Sequence, residues 1–251
     1  MCSSDLLPRT SDGRRHSVNE AYLEPARRSG RLEVLGDAMV DRVLFDGTRA
    51  VGVRLADGRE VTAGRVVLAA GAVRTPPVLV RSGLDRAPIG AGLQDHPSVT
   101  VPVRLRRDVV RALDRSLGRG PADVVSVTVL GRVRHPEFGD LQFLAADAVD
   151  ADDPTRAVLM GLVLHVESRG AVHVESLDPF ADPVVSFDPL SNPTDRAACA
   201  AVRRGLEALL ASPEVASVVD EVGEARVGGA YHASSTCRMG RPDDPWAVVD
   251  H

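Results

Sequence analysis

A succession of short apolar segments, each followed by a cluster of Asp, Pro or Gly, fills residues 98–187 and constrains the fold more than any other feature. Segments of this kind predict antiparallel strands joined by turns. Residues 194–211 follow with apolar positions at the spacing of one helix face. A sheet followed by helices is typical of an α+β domain. The candidate strands are Val99–Leu105, Val124–Leu130, Leu141–Ala146, Val158–Val166, Ala171–Val174 and Val184–Phe187, and the predicted core stripe of the helix is Ala198, Val202, Leu206 and Leu209.

The segment before this sheet begins with a capping-box sequence, Ser17 to Glu20, which predicts a short helix that ends near Gly30. Four short strand candidates follow, and Asp-Gly turns come after the second and the third of them. This spacing predicts an antiparallel β-meander. The four candidates are Leu32–Leu35, Met39–Phe45, Ala50–Leu55 and Glu60–Thr62.

Arg65–Ala70 is apolar on both faces, which predicts a buried strand of a parallel sheet, as in an α/β fold. Gly71 and Ala72 would end this strand, and Thr75-Pro76 predicts the start of a helix that continues to Ser82. A small-residue turn before a helix presents backbone N–H groups to an anion. The alternative is an ordinary strand–helix unit whose elements cross closely.

Charge and composition exclude several classes of protein. The formal net charge of −5 disfavours binding to nucleic acid or to an anionic membrane. No uncharged apolar run approaches the roughly 20 residues of a membrane-spanning helix. Cys2, Cys199 and Cys237 are far apart and form no disulfide framework, so we expect a reducing compartment, the cytoplasm. All 30 basic residues are Arg, which indicates the GC-rich coding bias of many bacteria.

Four sequence blocks occur in a fixed order along the chain. They are Asp12–Arg14 with Ala21–Pro25, Gly71–Leu84, Ile89–Pro97, and Tyr231–Gly240 with Asp244–Asp250. In this order they resemble the signatures of the glucose–methanol–choline (GMC) family of FAD-dependent oxidoreductases. Asp85 and Ser235 stand where that family has Gly, and Gly92 stands where it has Asn.

The resemblance implies a partial, Rossmann-like FAD-binding domain over residues 1–97 that contains the β-meander. A substrate-binding domain with an antiparallel sheet and helices would cover 98–225, and residues 226–251 would return to the FAD domain and the active site. The family's G-x-G-x-x-G turn would lie before residue 1, and its closing segment after residue 251. Residues 2–6 read as a translated sequencing adapter, so we expect residues 1–6 not to be native.

The resemblance also implies FAD-dependent oxidation of a small-molecule alcohol. His232 would be the base that takes the hydroxyl proton, and Tyr231 would line the substrate pocket. Val40 would approach the adenine of FAD, while Gly71 and Ala72 would let the backbone come close to the dinucleotide. The bacterial composition and the compact substrate domain favour a dehydrogenase over an oxidase, although the sequence does not name the electron acceptor.

Several alternatives stay open at this point. His96, between Asp95 and Pro97, is more typical of a structural turn than of a base. Cys237 and His232 are too few ligands for a metal site, so no metal is expected. A function of another class is also consistent with the sequence, namely an inert fragment or a binding module that keeps only the sheet of the substrate domain. Genomic sequence on both sides of the chain would separate that possibility from an enzyme.

Overall fold

The computed structural model describes residues 17–84, 88–117, 126–150 and 152–250. It has two compact units, which are described separately. The described residues of the sheet unit lie within 17–31, 96–167 and 189–232, and those of the meander unit lie within 32–95, 168–188 and 233–250. The predictions for residues 1–6, for the Asp12–Arg14 block and for Asp85 lie outside the described residues. The division into domains 1–97, 98–225 and 226–251 stays a prediction.

The helices and strands within the described residues are numbered in chain order. The helices are α1 (Glu24–Arg28), α2 (Gly71–Arg81), α3 (Arg107–Leu117), α4 (Pro193–Ala211) and α5 (Pro213–Ala216), and a π-helical turn, Asn19–Leu23, precedes α1. The strands are β1 (Val40–Asp46), β2 (Arg49–Leu55), β3 (Glu60–Thr62), β4 (Ala91–Leu93), β5 (Pro97–Leu105), β6 (Ser126–His135), β7 (Gly139–Asp147), β8 (Arg156–Val163), β9 (Gly170–His173), β10 (Val184–Ser186), β11 (Val219–Val222) and β12 (Arg226–Gly229).

The sheet unit contains a large antiparallel sheet, and four of the six strands predicted for residues 98–187 belong to it. Its strand order is β11-β5-β8-β7-β6, and β12 also pairs with β5. Strand β5 therefore carries β8 on one edge, and on its other edge β12 beside its first half and β11 beside its second half. The capping box that opens this unit's first helical segment is confirmed, because Ser17 and Glu20 exchange hydrogen bonds.

Helix α4 packs across β5 and β8 and closes the main core of the sheet unit. Val202 and Leu206 point into this core and are 0% and 1% exposed. The close approach requires a glycine in β8, since a Cβ on Gly161 would lie 2.3 Å from a methyl of Val202. Asn192 caps the helix by accepting a hydrogen bond from the backbone N–H of Thr194. Leu209 was predicted to be a core residue, and this was wrong because it is 42% exposed.

The meander unit contains two small antiparallel sheets. The first has the order β1-β2-β3, so the predicted β-meander is confirmed for three of its four strands. The second has the order β10-β9-β4, which means that the last two predicted strands of residues 98–187 do not join the large sheet. The candidate strand Leu32–Leu35 is absent and its residues are irregular and mostly exposed.

The buried parallel strand predicted for Arg65–Ala70 is also absent. Residues 66–69 are irregular, and the side chain of Val67 is 79% exposed. A strand requires neighbours that pair with its backbone N–H and carbonyl groups. None of the strands in the described residues pairs with this segment. The apolar composition of this segment predicted a buried strand, but these residues form no strand and none of them is buried.

Helix α2 begins one turn earlier than predicted, at Gly71 rather than Thr75. Gly71 has φ +74°, a left-handed conformation in which glycine carries no steric penalty. The chain therefore turns from the irregular segment into the helix at this residue. As a result, Pro76 and Pro77 lie inside the helix instead of at its first position.

Candidate active site

His96 and His232 are far apart in sequence but lie side by side in the sheet unit. Strands β5 and β12 pair with Gly229 opposite Pro97, and the backbone N–H of Ala230 donates to the carbonyl of His96. The segment that contains His96, just before β5, therefore lies next to the segment that contains His232, just after β12. The imidazole ring centroids are 5.7 Å apart, and the rings meet edge to face at 82°. The sequence did not predict this contact, because it depends on strand register.

His96 is fixed in one orientation by a backbone group. Its Nδ1 lies 3.0 Å from the carbonyl oxygen of the fully buried Val163. A carbonyl oxygen only accepts hydrogen bonds, so Nδ1 of His96 is the donor in this contact. His96 thus presents a defined ring edge to its surroundings, as a structural histidine would.

Tyr231, the predicted pocket residue, has an unusual backbone. Its φ of +60° lies in the left-handed region, which is rare for a bulky residue, and its side chain is 87% exposed. Backbone strain of this kind clusters at functional sites. The strained residue directly precedes His232, whose side chain is partly buried.

Val40, the residue predicted to approach adenine, lines a cleft of about 670 Å³ in the meander unit. The wall is largely apolar and includes Met39, Pro77 and Phe180, with Arg74 and Arg81 as its basic groups. A cleft of this composition suits a flat, apolar ring with polar edges.

The position of Val40 is set by a buried ion pair. The guanidinium of Arg81 donates to the side-chain and main-chain oxygens of Asp41 at 3.0 and 2.9 Å. Both side chains are almost fully buried. Ser82 adds a further connection, because its hydroxyl accepts from the N–H of Val43. The end of α2 thereby holds the start of β1.

Gly71 and Ala72 line a second cleft of the meander unit, of about 400 Å³. The opposite wall is the segment 233–237, which contains Ser235, Thr236 and Cys237. At Gly71 an added Cβ would meet no atom within 4 Å, so the space in front of its backbone is open. The two predicted dinucleotide residues therefore face a cleft at the first turn of α2.

Ser235, which stands where the family has Gly, has φ +75°. Its hydroxyl donates to the side-chain oxygen of Gln94 at 2.9 Å. Left-handed backbone costs an L-residue roughly 1–2 kcal/mol, a penalty that glycine avoids. We expect Ser235→Gly to be more stable than Ser235→Ala by about 1 kcal/mol in urea unfolding.

Ser234 provides the matched control, because it is exposed and its φ is not positive. There Ala should equal or exceed Gly in stability, since Gly loses more conformational freedom on folding. If the Gly and Ala variants have the same order of stability at both positions, the inference that the backbone of Ser235 is strained is contradicted.

The two cysteines that the structure describes, Cys199 and Cys237, show no sign of ligand or nucleophile chemistry. Burial raises the pKa of the Cys237 thiol, and burial together with the nearby Asp195 carboxylate raises that of Cys199 to about 11. Both thiols are therefore protonated at neutral pH, as packing residues are. Within residues 17–84, 88–117, 126–150 and 152–250, no group of three or more potential ligands surrounds a possible metal position. None of the helices in these ranges is long and apolar enough to cross a bilayer.

Two sequence models of one family match this chain. The N-terminal model of the GMC oxidoreductases covers residues 1–98, and the C-terminal model covers residues 166–251. The chain belongs to the GMC oxidoreductase family. The resemblance inferred from the four sequence blocks is thereby confirmed.

Curated relatives from the GMC family align over nearly the whole chain. An uncharacterised GMC-type oxidoreductase of Rhodococcus erythropolis is 31% identical, and the alignment covers 96% of this chain and 52% of that protein. An oxygen-dependent choline dehydrogenase of Stenotrophomonas maltophilia is 29% identical over 96% of this chain and 53% of that protein. The chain thus spans about half the length of the curated relatives it matches.

The fold also matches that of solved protein structures. Pyridoxine 4-oxidase from Mesorbium loti superposes with a TM-score of 0.69 at 21% identity, over 96% of this chain and 54% of that one. An FAD-dependent oxidoreductase from Chaetomium thermophilum superposes with a TM-score of 0.72 at 17% identity, over 95% of this chain and 57% of that one. These superpositions confirm the predicted mixed α and β fold class. FAD, the predicted cofactor, is the cofactor of this family.

Proposed function

We propose that this chain is part of an FAD-dependent GMC enzyme that oxidises a small-molecule alcohol. It would contribute the substrate-binding residues and some of the FAD-binding residues. The observation that supports this best is the geometry of Tyr231 and His232. The motif's histidine follows a residue with strained backbone and lies beside a second histidine of fixed orientation. Strained backbone clusters at active sites, and an imidazole is the commonest general base.

The residues present fit the dinucleotide part of FAD. Gly71 has a left-handed backbone at the first turn of α2, and no atom lies within 4 Å of the position that its Cβ would take. The positive end of a helix favours a phosphate group. Val40 lines a largely apolar cleft that suits an adenine ring. Val40, Gly71 and Ala72 would therefore hold FAD, which when bound supplies the acceptor for the hydride that leaves the alcohol carbon.

The proposed role of His232 is to remove the hydroxyl proton of the substrate. A neutral imidazole suits this step because its ordinary pKa of roughly 6.5 lies near neutral pH. The O–H bond breaks as the proton passes to the ring, and its electron pair becomes the second bond of the C=O group. The C–H bond on the alcohol carbon also breaks, and its hydrogen leaves with both electrons as hydride, for which bound FAD would be the acceptor. His96 would limit rotation of the His232 ring, and the exposed Tyr231 would contact the substrate.

The substrate class and the electron acceptor are also part of the proposal. Choline and pyridoxine are the first alcohols to assay, since the names of similar proteins include them. We propose a dehydrogenase rather than an oxidase, as the composition suggests. The cytoplasmic location, the bacterial origin and the absence of nucleic-acid partners stay predictions from composition.

The experiment is an assay of a chain extended with its genomic flanking sequence. We expect an extended chain with a G-x-G-x-x-G segment to bind FAD and to oxidise an alcohol with an artificial electron acceptor under nitrogen. Turnover that occurs only with oxygen would contradict the dehydrogenase assignment. An extended chain that binds no flavin and oxidises no alcohol would contradict the function itself.

We expect the chain of 251 residues to hold no stoichiometric FAD when it is purified. Its sequence contains no G-x-G-x-x-G segment, the turn that seats a dinucleotide pyrophosphate on a helix N-terminus. The preparation should be colourless, with no flavin absorbance near the 450 nm region. Reconstitution with excess FAD followed by gel filtration is the control, and a yellow protein peak after this step would contradict the prediction.

A further inference from the structure

Thr236 connects three of the family's sequence blocks within the meander unit. Its side chain is 1% exposed. The hydroxyl donates a hydrogen bond of 2.6 Å to the carbonyl of Ala72, and the carbonyl of Thr236 accepts one of 2.8 Å from the N–H of Gly90. One buried residue therefore contacts the first turn of α2 and the segment that precedes β4.

The hydrogen bond from the Thr236 hydroxyl to the Ala72 carbonyl replaces a backbone hydrogen bond that is missing from helix α2. In an α-helix the N–H of residue i donates to the carbonyl of residue i−4, so the partner of Ala72 would be residue 76. Pro76 has no N–H. The carbonyl of Ala72 therefore lacks its helical donor, and the Thr236 hydroxyl supplies a donor from another segment.

We propose that Thr236 is a positioning residue for the turn at Gly71 and Ala72. Its hydroxyl fixes the backbone that Pro76 would otherwise leave without a hydrogen bond. The importance of this turn for FAD rests on the proposed function, whereas the hydrogen-bond replacement does not.

The segment that bonds to the Thr236 carbonyl is itself packed against strand β9. Gly90, which bonds to the Thr236 carbonyl, has φ +84°. A Cβ at Gly90 would lie 2.2 Å from the carbonyl oxygen of Val172 in β9, so the segment is pressed against that strand. The N–H of Val172 in turn donates to the carbonyl of Gly90. Thr236 is thus connected through Gly90 to the β10-β9-β4 sheet, and its hydroxyl bonds the first turn of α2 to the same support.

The test uses four variants of the chain. Thr236→Val keeps the volume but removes the hydroxyl, and Thr236→Ser keeps the hydroxyl but removes the methyl. Pro76→Ala restores an N–H that can bond to Ala72, and it is also combined with Thr236→Val. The measurements are hydrogen–deuterium exchange of the α2 amides and the ¹³C chemical shift of the Ala72 carbonyl. Thr62→Val, on an exposed residue of β3, is the matched control.

We expect Thr236→Val to raise exchange in α2 by about tenfold or more, which corresponds to about 1.4 kcal/mol. It should also shift the Ala72 carbonyl resonance. Thr236→Ser and Thr62→Val should stay within about twofold of the parent chain. In the Pro76→Ala background, Thr236→Val should change exchange by no more than about twofold to threefold, because the helix then pairs its own carbonyl.

Two results would overturn the proposal. If Thr236→Ser is as damaging as Thr236→Val, the residue acts through packing of its methyl group. If Pro76→Ala does not reduce the effect of Thr236→Val, or does not restore folding where the single variant fails to fold, the hydroxyl does not replace the missing helix bond. None of these measurements needs bound FAD, so an extended chain that fails to bind FAD would contradict the proposed function alone.

Discussion

Replacing His232 with Ala in the extended enzyme should lower turnover roughly 10²- to 10⁴-fold, the usual contribution of a positioned general base. FAD content should hardly change, because Val40, Gly71 and Ala72, not His232, line the clefts proposed for the cofactor. Steady-state turnover and flavin absorbance of the same preparation measure both effects.

His96→Ala is the matched control, since the two rings touch and both variants remove an imidazole. It removes the bond from Nδ1 to the Val163 carbonyl, so it should weaken folding or flavin retention more than turnover per bound flavin. If His96→Ala abolishes turnover with flavin still bound while His232→Ala remains near normal, the catalytic role belongs to His96.

Leu206→Ala should lower the free energy of unfolding of the sheet unit by about 2–5 kcal/mol, the usual cost of a cavity in a packed core. Leu206 is 1% exposed on the face of α4 that packs on β5 and β8. Urea unfolding followed by circular dichroism measures the change, while the single Trp246 reports on the meander unit.

Leu209→Ala removes the same atoms from the same helix at an exposed position, so its cost should stay below about 1 kcal/mol. Equal losses for the two variants would contradict the assignment of Leu206 to the core and Leu209 to the surface.

The error at Leu209 shows what periodicity alone predicts. The sequence fits a stripe that ends at Leu209, three residues after Leu206. The buried row instead advances by four residues from Ala198 through Val202 and Leu206, and Leu210 then contacts the core. Both spacings lie on one helix face, so only the crossing of α4 over the sheet decides between them.

Local patterns predicted most strands of the sheet unit, because each strand is bounded by its own turn residues. They did not predict strand partners, and β9 and β10 therefore fell in the wrong sheet. Helix α3 was missed because it lies among strand segments and few of its residues are buried. The family blocks identified His232 and Tyr231, but no local pattern indicated that His96 contacts His232.

The pairing of β5 with β12 has a consequence for the order of folding. The paired residues of these two strands are about 130 positions apart, whereas β6 with β7 and β7 with β8 are pairs of strands that are adjacent in sequence. Closing so long a loop is slow compared with forming a hairpin. On a ribosome, β12 emerges only after the rest of the large sheet. Within the sheet unit, the contact between His96 and His232 would then form last, so a nascent chain would pair β11, β5, β8, β7 and β6 before it adds β12 and completes its candidate catalytic pair.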